Sequence, residues 1–294
     1  MPIYVCIGKR DKMHRAVNRE KLAFTILGII TLLVIIPIFL VIFYIVKNSI
    51  GVISWEFISQ APRHGMREGG IFPAIVGTIY LIVGTALFAL PLGILSAVYL
   101  VEYAGDNAFT RIIKLAIVNL SGIPSIVYGL FGFALFVIFL KLGTSILAGS
   151  LTLAIMSLPV IITATKEALE AVPFSFREVS LSLGASKWQT VRYCVLPYAV
   201  PGILTGTVLS LSRAAGETAP ILFTVAAFYL PRLPRSVFDQ VMALPYHLYS
   251  ITTQVPNMPL GLSFATAFVL IALVFLLNLA SIIIRSRFGK RKVW

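Results

Sequence analysis

Charged side chains are scarce in this sequence: they make up 12% of its 294 residues, roughly half of the fraction in an average soluble domain. Hydrophobic residues reach 59%, and several apolar runs match the roughly 20 helical residues that cross a bilayer. This composition excludes a soluble globular protein. It predicts an all-α, polytopic membrane protein.

The sequence also lacks the motifs of the common catalytic and metal sites. It has two cysteines, Cys6 and Cys194, and three histidines that are scattered without metal-ligand spacing. No Walker-type glycine-rich loop, nucleophile elbow, zincin motif or pair of catalytic carboxylates occurs. We therefore expect no catalytic residue, no metal site and no cofactor in this chain. Any ATP-driven step must take place on another subunit.

Six apolar segments are candidates for transmembrane helices. Their approximate ranges are 22–46, 71–101, 115–140, 146–165, 198–228 and 260–284. The second is longer than a perpendicular crossing requires, so we expect it to tilt, to kink at Pro91 or to project from the bilayer. The segments define a basic N-terminal region (1–21), a transmembrane domain (22–284) and a basic tail (285–294).

Basic residues indicate how the chain is oriented. They are concentrated before the first span, after the last span and in the loop 166–197. With both termini in the cytoplasm, most of the 24 lysines and arginines lie on the cytoplasmic side, as the positive-inside rule requires. We predict a multi-pass protein of the cytoplasmic (inner) membrane with N-in, C-in topology. The net charge of +13 then reflects topology and attraction to membrane lipid, and we predict no nucleic-acid partner.

The loop 166–197 carries an amphipathic segment with signals for two short helices. Capping-box spacing occurs twice, at Ser175–Glu178 and at Ser186–Gln189. Gly184 lies between them, where a helix C-terminus favours a left-handed residue, and Pro197 is expected to end the second helix. Such a hairpin is either an ordinary surface feature or a docking element for a partner.

This segment resembles the EAA loop of ATP-binding-cassette importer permeases of the type I class. The resemblance rests on Glu178, on Gly184 and on the Leu-Pro pair at 196–197, whereas the two residues after Glu178 depart from the family pattern. It implies the type I importer permease fold, with this loop as a cytoplasmic coupling helix. The implied contacts with a cytoplasmic ATPase are made by Arg177, Glu178, Gly184, Ala185, Ser186 and Trp188.

Two charged residues, Arg213 and Glu217, lie deep within the predicted span 198–228. Each would cost several kcal/mol facing lipid, so we expect both to face a protein interior or an aqueous cavity. Their i, i+4 spacing places them on one helical face, close enough to pair. One hypothesis is a buried salt bridge that fixes helix packing. The other is an anion station, in which the guanidinium fork binds an oxyanion beside the counter-charge of the carboxylate.

The sequence around this pair, 212–224, resembles the Arg-Ala-x-Gly-Glu-Thr-Ala-Pro signature of phosphate-import permeases of the PstA type. Further similar segments occur at 70–78, 91–93, 99–104 and 123–129. The resemblance therefore runs from about residue 20 to the end of the sequence. It implies that Arg213, Glu217 and Thr218 line a substrate pathway.

The segment 123–129 also has the features of a broken helix. Gly122 and Pro124 can interrupt the helix and leave backbone N–H groups free near Ser125. Helix N-termini within a membrane favour anions, so we add Ser125 and Tyr128 to the predicted pathway. The alternative is a proline kink that only improves packing.

Taken together, the resemblances imply a permease subunit of an ATP-driven phosphate importer, which forms half of the translocation pathway. The implied partners are a homologous PstC-like permease, two copies of a cytoplasmic ATPase and an extracytoplasmic phosphate-binding protein. One alternative is an importer of another oxyanion, such as phosphonate, sulfate or molybdate. Another is a proton-coupled secondary anion transporter that uses Arg213 and Glu217. The last is a membrane-embedded enzyme, which the missing catalytic motifs disfavour, or an assembly factor, which the loop motif disfavours.

Overall fold

The computed structural model describes residues 3–289, with side chains described for 20–280, 282, 283, 285 and 286. The chain forms two compact units, residues 1–51 and 52–294. The first unit is one long helix, α1 (Ile3–Ser49), and its large apolar side chains from Leu22 to Tyr44 are exposed. Most of the predicted basic segment 1–21 and of the basic tail 285–294 lies outside the described side chains.

The second unit is almost entirely helical. It contains a short hairpin of two antiparallel strands, β1 (Pro62–Arg63) and β2 (Glu68–Gly69). Its helices are α2 (Trp55–Ser59), α3 (Phe72–Val98), α4 (Ala108–Ser121), α5 (Ser125–Gly132), α6 (Ile146–Glu170), α7 (Phe174–Ser182), α8 (Lys187–Gln189), α9 (Leu196–Gly216), α10 (Ala219–Thr224), α11 (Leu244–Thr253) and α12 (Leu260–Gly289). Three π-helical turns extend or join these helices: Tyr99–Tyr103 after α3, Phe133–Phe139 after α5 and Thr190–Val195 between α8 and α9.

The predicted all-α class and about six membrane spans are confirmed. In the described part of the chain, five helices are long and apolar enough to cross a membrane. They cover Glu20–Ser49, Phe72–Tyr103, Ile146–Glu170, Lys187–Gly216 and Leu260–Ala280. A sixth span results if α4 and α5, which are bent by 106° at a short break, are counted together.

Helix α6 lies at the centre of the second unit, between α3 and α9. Small residues allow this close packing. Gly202 and Gly206 of α9 face Ala168 and Ala164 of α6, and a Cβ atom on Gly206 would lie 2.1 Å from that of Ala164. Glycine is therefore required at this crossing for α9 to reach α6.

Two predicted spans are wrong in extent. Helix α4 begins at Ala108 rather than at 115, because the Asn107 side chain accepts the Thr110 N–H at 2.9 Å and caps the helix there. The span predicted over 198–228 is broken after Gly216. Pro220 has no N–H to donate to the Gly216 carbonyl and lies in the first turn of a new helix, α10, a position that tolerates proline.

Candidate functional site

The first helix of the loop 166–197 does not begin as predicted. Pro173 occupies the N-cap position of α7, and no side chain caps this helix. Its carbonyl accepts the Phe176 N–H at 3.2 Å. Ser175 consequently lies inside the first turn, so the predicted Ser175–Glu178 capping box is wrong. Proline has a fixed φ and no side-chain atom that could accept a backbone N–H, so it starts the helix without a side-chain cap.

The turn after α7 agrees with the prediction. Gly184 has φ +84°, which confirms the left-handed glycine. The Gly184 N–H bonds the Leu181 carbonyl at 3.0 Å, and the Ala185 N–H bonds the Ser180 carbonyl at 3.2 Å, a Schellman motif. The second capping box is also confirmed, because Ser186 and Gln189 each accept the backbone N–H of the other.

Pro197 does not end the helix that begins at Lys187. This helix continues through the π-helical turn Thr190–Val195 into α9, giving one span over Lys187–Gly216. Pro197 lies in the first turn of α9, where its missing N–H is tolerated. The widened turn accommodates the proline. The second half of the loop therefore belongs to the same continuous helix as this candidate membrane span.

Arg177, predicted as a docking residue, points into the protein. Its guanidinium pairs with Glu102 at 2.6 Å (Nη2 to Oε1), and the two side chains are only 12% and 7% exposed. The same group donates to the carbonyls of Val172 at 2.9 Å and Leu169 at 3.0 Å. Arg177 thus joins α7 to the ends of α3 and α6.

The other predicted coupling residues lie on or near the surface. Glu178, Gly184, Ser186 and Trp188 are exposed, and Ala185 is half-buried. Large apolar side chains are also exposed on this loop, among them Phe174 (68%), Leu183 (83%) and Trp188 (51%). Exposed apolar side chains are typical of surfaces that contact a partner or lipid.

Arg213 and Glu217 form the predicted pair, but not on one helical face within a span. Arg213 lies in the last turn of α9, and Glu217 follows the end of that helix in extended conformation. One contact joins them, from Nε to Oε1 at 3.2 Å. The Arg213 side chain is 55% exposed and that of Glu217 is 16% exposed. In the described part of the chain, no other group bonds this guanidinium.

An open cleft of about 620 Å³ lies beside the pair, between α9 and α12. Its polar lining residues are Ser212, Arg213, Glu217 and Asn278. The Ser212 hydroxyl donates to Oδ1 of Asn278 at 3.0 Å, across the two helices. Sequence reasoning missed Asn278; the only signal was an amide within an otherwise apolar segment.

The remaining predicted pathway residues lie near the break between α9 and α10. Thr218 occupies the N-cap position of α10 and is half-buried. Helix α5 packs on α10, since a Cβ on Gly129 would meet the Ala219 carbonyl at 2.8 Å. Tyr128 is buried, donates to the Leu120 carbonyl at 2.8 Å and lies within the electrostatic influence of Arg213.

The interruption before α5 is confirmed. Helix α4 ends at Ser121, and α5 begins at Ser125 with Pro124 as its N-cap. No side chain caps the described α5. Ser125 is half-buried at the start of this helix. Helix α10, which follows the end of α9 after two residues, packs on α5. The predicted pathway residues of α5 and of the end of α9 are therefore connected by α10.

Curated proteins similar to this chain include transport permeases. "Probable ABC transporter permease protein YqgI" of Bacillus subtilis is 34% identical over 254 residues, covering 82% of this chain and 86% of the relative. "Phosphate transport system permease protein PstA 1" of Mycobacterium tuberculosis (strain CDC 1551 / Oshkosh) is 38% identical, covering 76% and 73%. "Probable phosphate transport system permease protein PstA" of Methanocaldococcus jannaschii is 34% identical, covering 81% and 84%.

Solved structures share the fold. An inward-facing form of the MetNI methionine ABC transporter superposes with a TM-score of 0.58 at 16% identity, covering 74% of this chain and 97% of that one. A bacterial ABC transporter that imports the acidic polysaccharide alginate gives a TM-score of 0.58 at 13% identity, covering 76% and 80%. These structures confirm the importer permease fold.

A family model described as "Binding-protein-dependent transport system inner membrane component" matches residues 89–293. The match includes the loop 166–197, the break after α9 and the cleft beside Arg213. The chain therefore belongs to the family of binding-protein-dependent transport system inner membrane components.

Proposed function

We propose that this chain is a permease subunit of an ATP-driven importer of inorganic phosphate. It pairs with a homologous, PstC-like permease, and the translocation pathway runs between the two. Two copies of a cytoplasmic ATPase and an extracytoplasmic phosphate-binding protein complete the complex. Support comes from relatives that are named as phosphate transport permeases and cover most of the chain.

The contrast between the two arginine–glutamate pairs carries the proposal. The Arg177 guanidinium is largely buried, and each of its three nitrogens donates to Glu102 or to a backbone carbonyl. The Arg213 guanidinium makes one contact, through Nε, and among the described residues its two terminal nitrogens have no hydrogen-bond partner. The residue lines the cleft between α9 and α12. Two parallel N–H groups of this kind suit two oxygens of a tetrahedral oxyanion. Arg213 is thus the anion station.

Glu217 acts on the anion through Arg213. Its carboxylate holds Nε and so orients the guanidinium fork. It also lowers the net positive charge of the site, which keeps the anion from binding too tightly to leave. Thr218, Ser125 and Tyr128 extend the pathway along the adjoining break and α5.

The loop 166–197 couples this pathway to ATP hydrolysis. Glu178, Gly184, Ala185, Ser186 and Trp188 belong to the ATPase docking surface, together with the exposed apolar side chains around them. Arg177 stabilises that surface by binding Glu102 and the carbonyls of Leu169 and Val172 on the protein side of α7. Because the second half of the loop continues into α9, its displacement moves the helix that carries Arg213.

The chain has N-in, C-in topology in the cytoplasmic membrane. Its transmembrane domain covers 22–284, between the basic segments 1–21 and 285–294. This arrangement places the loop 166–197 on the cytoplasmic side, next to the ATPase. The permease itself performs no bond chemistry.

Phosphate uptake into proteoliposomes tests the proposal. The vesicles contain this chain, its partner permease, the ATPase and the binding protein. We expect radiolabelled phosphate to accumulate only when both ATP and the ATPase subunit are present. Uptake driven by a proton gradient without the ATPase would instead support the secondary transporter. If the assembled complex imports sulfate, molybdate or phosphonate but not phosphate, the chain is still an importer permease and phosphate is the wrong substrate.

A further inference from the structure

Asn278 is the one strongly polar side chain in the apolar run 260–280 of α12. An amide within a membrane-spanning helix is unfavourable unless its donors and its acceptor have hydrogen-bond partners. Its acceptor has one: Oδ1 accepts the Ser212 hydroxyl of α9 at 3.0 Å. Ser212 is itself only 6% exposed, and both residues line the cleft.

The Ser212 bond determines which part of the amide is available. It occupies Oδ1 and leaves the two N–H donors of Nδ2, for which the described residues offer no acceptor. Asn278 and Arg213 line the same cleft of about 620 Å³, on opposite helices. A neutral donor group thus lies on the α12 side of the cleft, and the charged fork lies on the α9 side.

We propose that Asn278, oriented by Ser212, is a second donor to the transported oxyanion. The inference rests on the function proposed above. A tetrahedral oxyanion presents four oxygens, and one guanidinium fork serves two of them. The amide adds donors for the remaining oxygens without adding charge, so it contributes selectivity for a tetrahedral anion without holding it permanently. Ser212 is a positioning residue that acts through Asn278.

Three variants separate this role from simple interhelical adhesion. Asn278→Asp keeps the shape and the acceptor for Ser212 but replaces the donors by a carboxylate that repels an anion. Asn278→Leu removes the amide while keeping similar bulk, and Ser212→Ala removes only the orienting hydroxyl. The readout is phosphate transported per ATP hydrolysed by the complete reconstituted complex, at saturating liganded binding protein. Asn119→Leu, at an exposed site on α4, is the control.

We expect Asn278→Leu to lower this ratio about tenfold, the usual effect of losing a hydrogen bond to a charged group. Asn278→Asp should lower it further, and Ser212→Ala should lower it roughly threefold. The Ser212→Ala/Asn278→Leu double variant should resemble Asn278→Leu alone, because Ser212 acts only through the amide. Asn119→Leu should leave the ratio unchanged.

An unchanged ratio in both Asn278 variants overturns the inference. So do strictly additive losses in the double variant, since these indicate two independent packing contacts. Arg213→Gln in the same preparation distinguishes a failure of the role inferred for Asn278 from a failure of the anion station at Arg213. If it abolishes uptake while the Asn278 variants remain active, only Asn278 loses its role. If all of them remain active, the proposed anion station fails as well.

Discussion

At the scale of single residues, the surroundings of two arginines give the same side chain two different roles. Arg177 is enclosed by Glu102 and by the carbonyls of Leu169 and Val172. These partners offset the loss of hydration, and they occupy a donor on each of the three guanidinium nitrogens. Arg213 is 55% exposed and has one partner, so it retains donors for a ligand.

Replacing Arg177 tests the structural half of this contrast. Arg177→Gln leaves the Glu102 carboxylate buried and unpaired, which typically lowers the free energy of unfolding by about 3–5 kcal/mol. We expect the melting temperature of the purified chain in detergent to fall by roughly 6–20 °C. Arg213→Gln is the matched control and should shift it by no more than about 2 °C, since an exposed pair contributes little. Equal melting temperatures for both variants would contradict the assignment.

His247 predicts a pH dependence of stability. It lies in α11, outside the candidate spans, and is 3% exposed. Burial lowers the pKa of its imidazole from 6.5 to about 4. As the pH falls below 6.5, the unfolded chain binds a proton that the folded chain excludes, so stability is lost in the window from pH 6.5 down to about 4.

At pH 5 this linkage amounts to about 2 kcal/mol relative to neutral pH. We expect the melting temperature to decrease between pH 7.5 and pH 5, and this decrease to be smaller in His247→Leu. His64→Leu, at an exposed histidine, should keep the full decrease. An undiminished pH dependence in His247→Leu would exclude this histidine as the cause.

At the scale of elements, the loop 166–197 consists of a short helix joined to the start of a membrane span. Helix α7 stops at the Schellman turn of Gly184, and the next helix runs from Lys187 to Gly216. The hydroxyls of Ser180 and Thr190 lie 2.9 Å apart and connect the two parts. A displacement of the loop therefore reaches Arg213 along one continuous helix.

Gly184 is the position at which this connection is most easily altered. A Cβ there would meet no atom within 4 Å, so a substitution acts through the backbone alone. A β-branched residue at φ +84° is strained, by about 1–2 kcal/mol or more for the left-handed conformation. We expect Gly184→Val to reduce phosphate transported per ATP hydrolysed, whereas Gly184→Asn, which tolerates this conformation, keeps most of it. Equal coupling ratios for the two variants would contradict the role of the turn.

The features of these elements that depend on neighbouring residues were predicted from the sequence. The side-chain contacts between residues far apart in the sequence were not. Gly184 and the Ser186–Gln189 box depend on neighbouring residues, and both predictions are confirmed. The partner of Arg177 lies 75 residues away, and that of Ser212 lies 66 residues away. Such pairs depend on which helices pack together, which hydrophobic periodicity within one segment does not specify.

Prolines caused most of the other errors. The start of α7 at Pro173 and the passage of the helix through Pro197 depend on how the backbone accommodates a missing N–H. At Pro197 a π-helical turn precedes the proline and the helix continues. It also continues through Pro201, whereas it ends at Gly216 before Pro220. Composition alone does not distinguish these outcomes.

At the scale of the whole molecule, the proposed function requires one orientation in the membrane. The loop 166–197 must face the cytoplasm. The segment 231–259, which lies between α10 and α12 and contains α11, must face the opposite side of the membrane. Ser182 and Ser236 are exposed residues of these two regions. In a chain whose Cys6 and Cys194 are replaced by serine, a membrane-impermeant thiol reagent added to intact cells should label Ser236→Cys and not Ser182→Cys. Labelling of Ser182→Cys and not of Ser236→Cys would show the opposite topology and contradict the proposed orientation.

Phosphate uptake by the complete complex carrying Arg213→Gln decides whether Arg213 binds the transported anion. We expect an assembled complex that still hydrolyses ATP, with phosphate uptake reduced at least about tenfold, because the charged donors to the anion are lost. Uptake at the level of the unaltered chain would contradict the claim that Arg213 is the anion station. It would leave Arg213 and Glu217 as a structural pair.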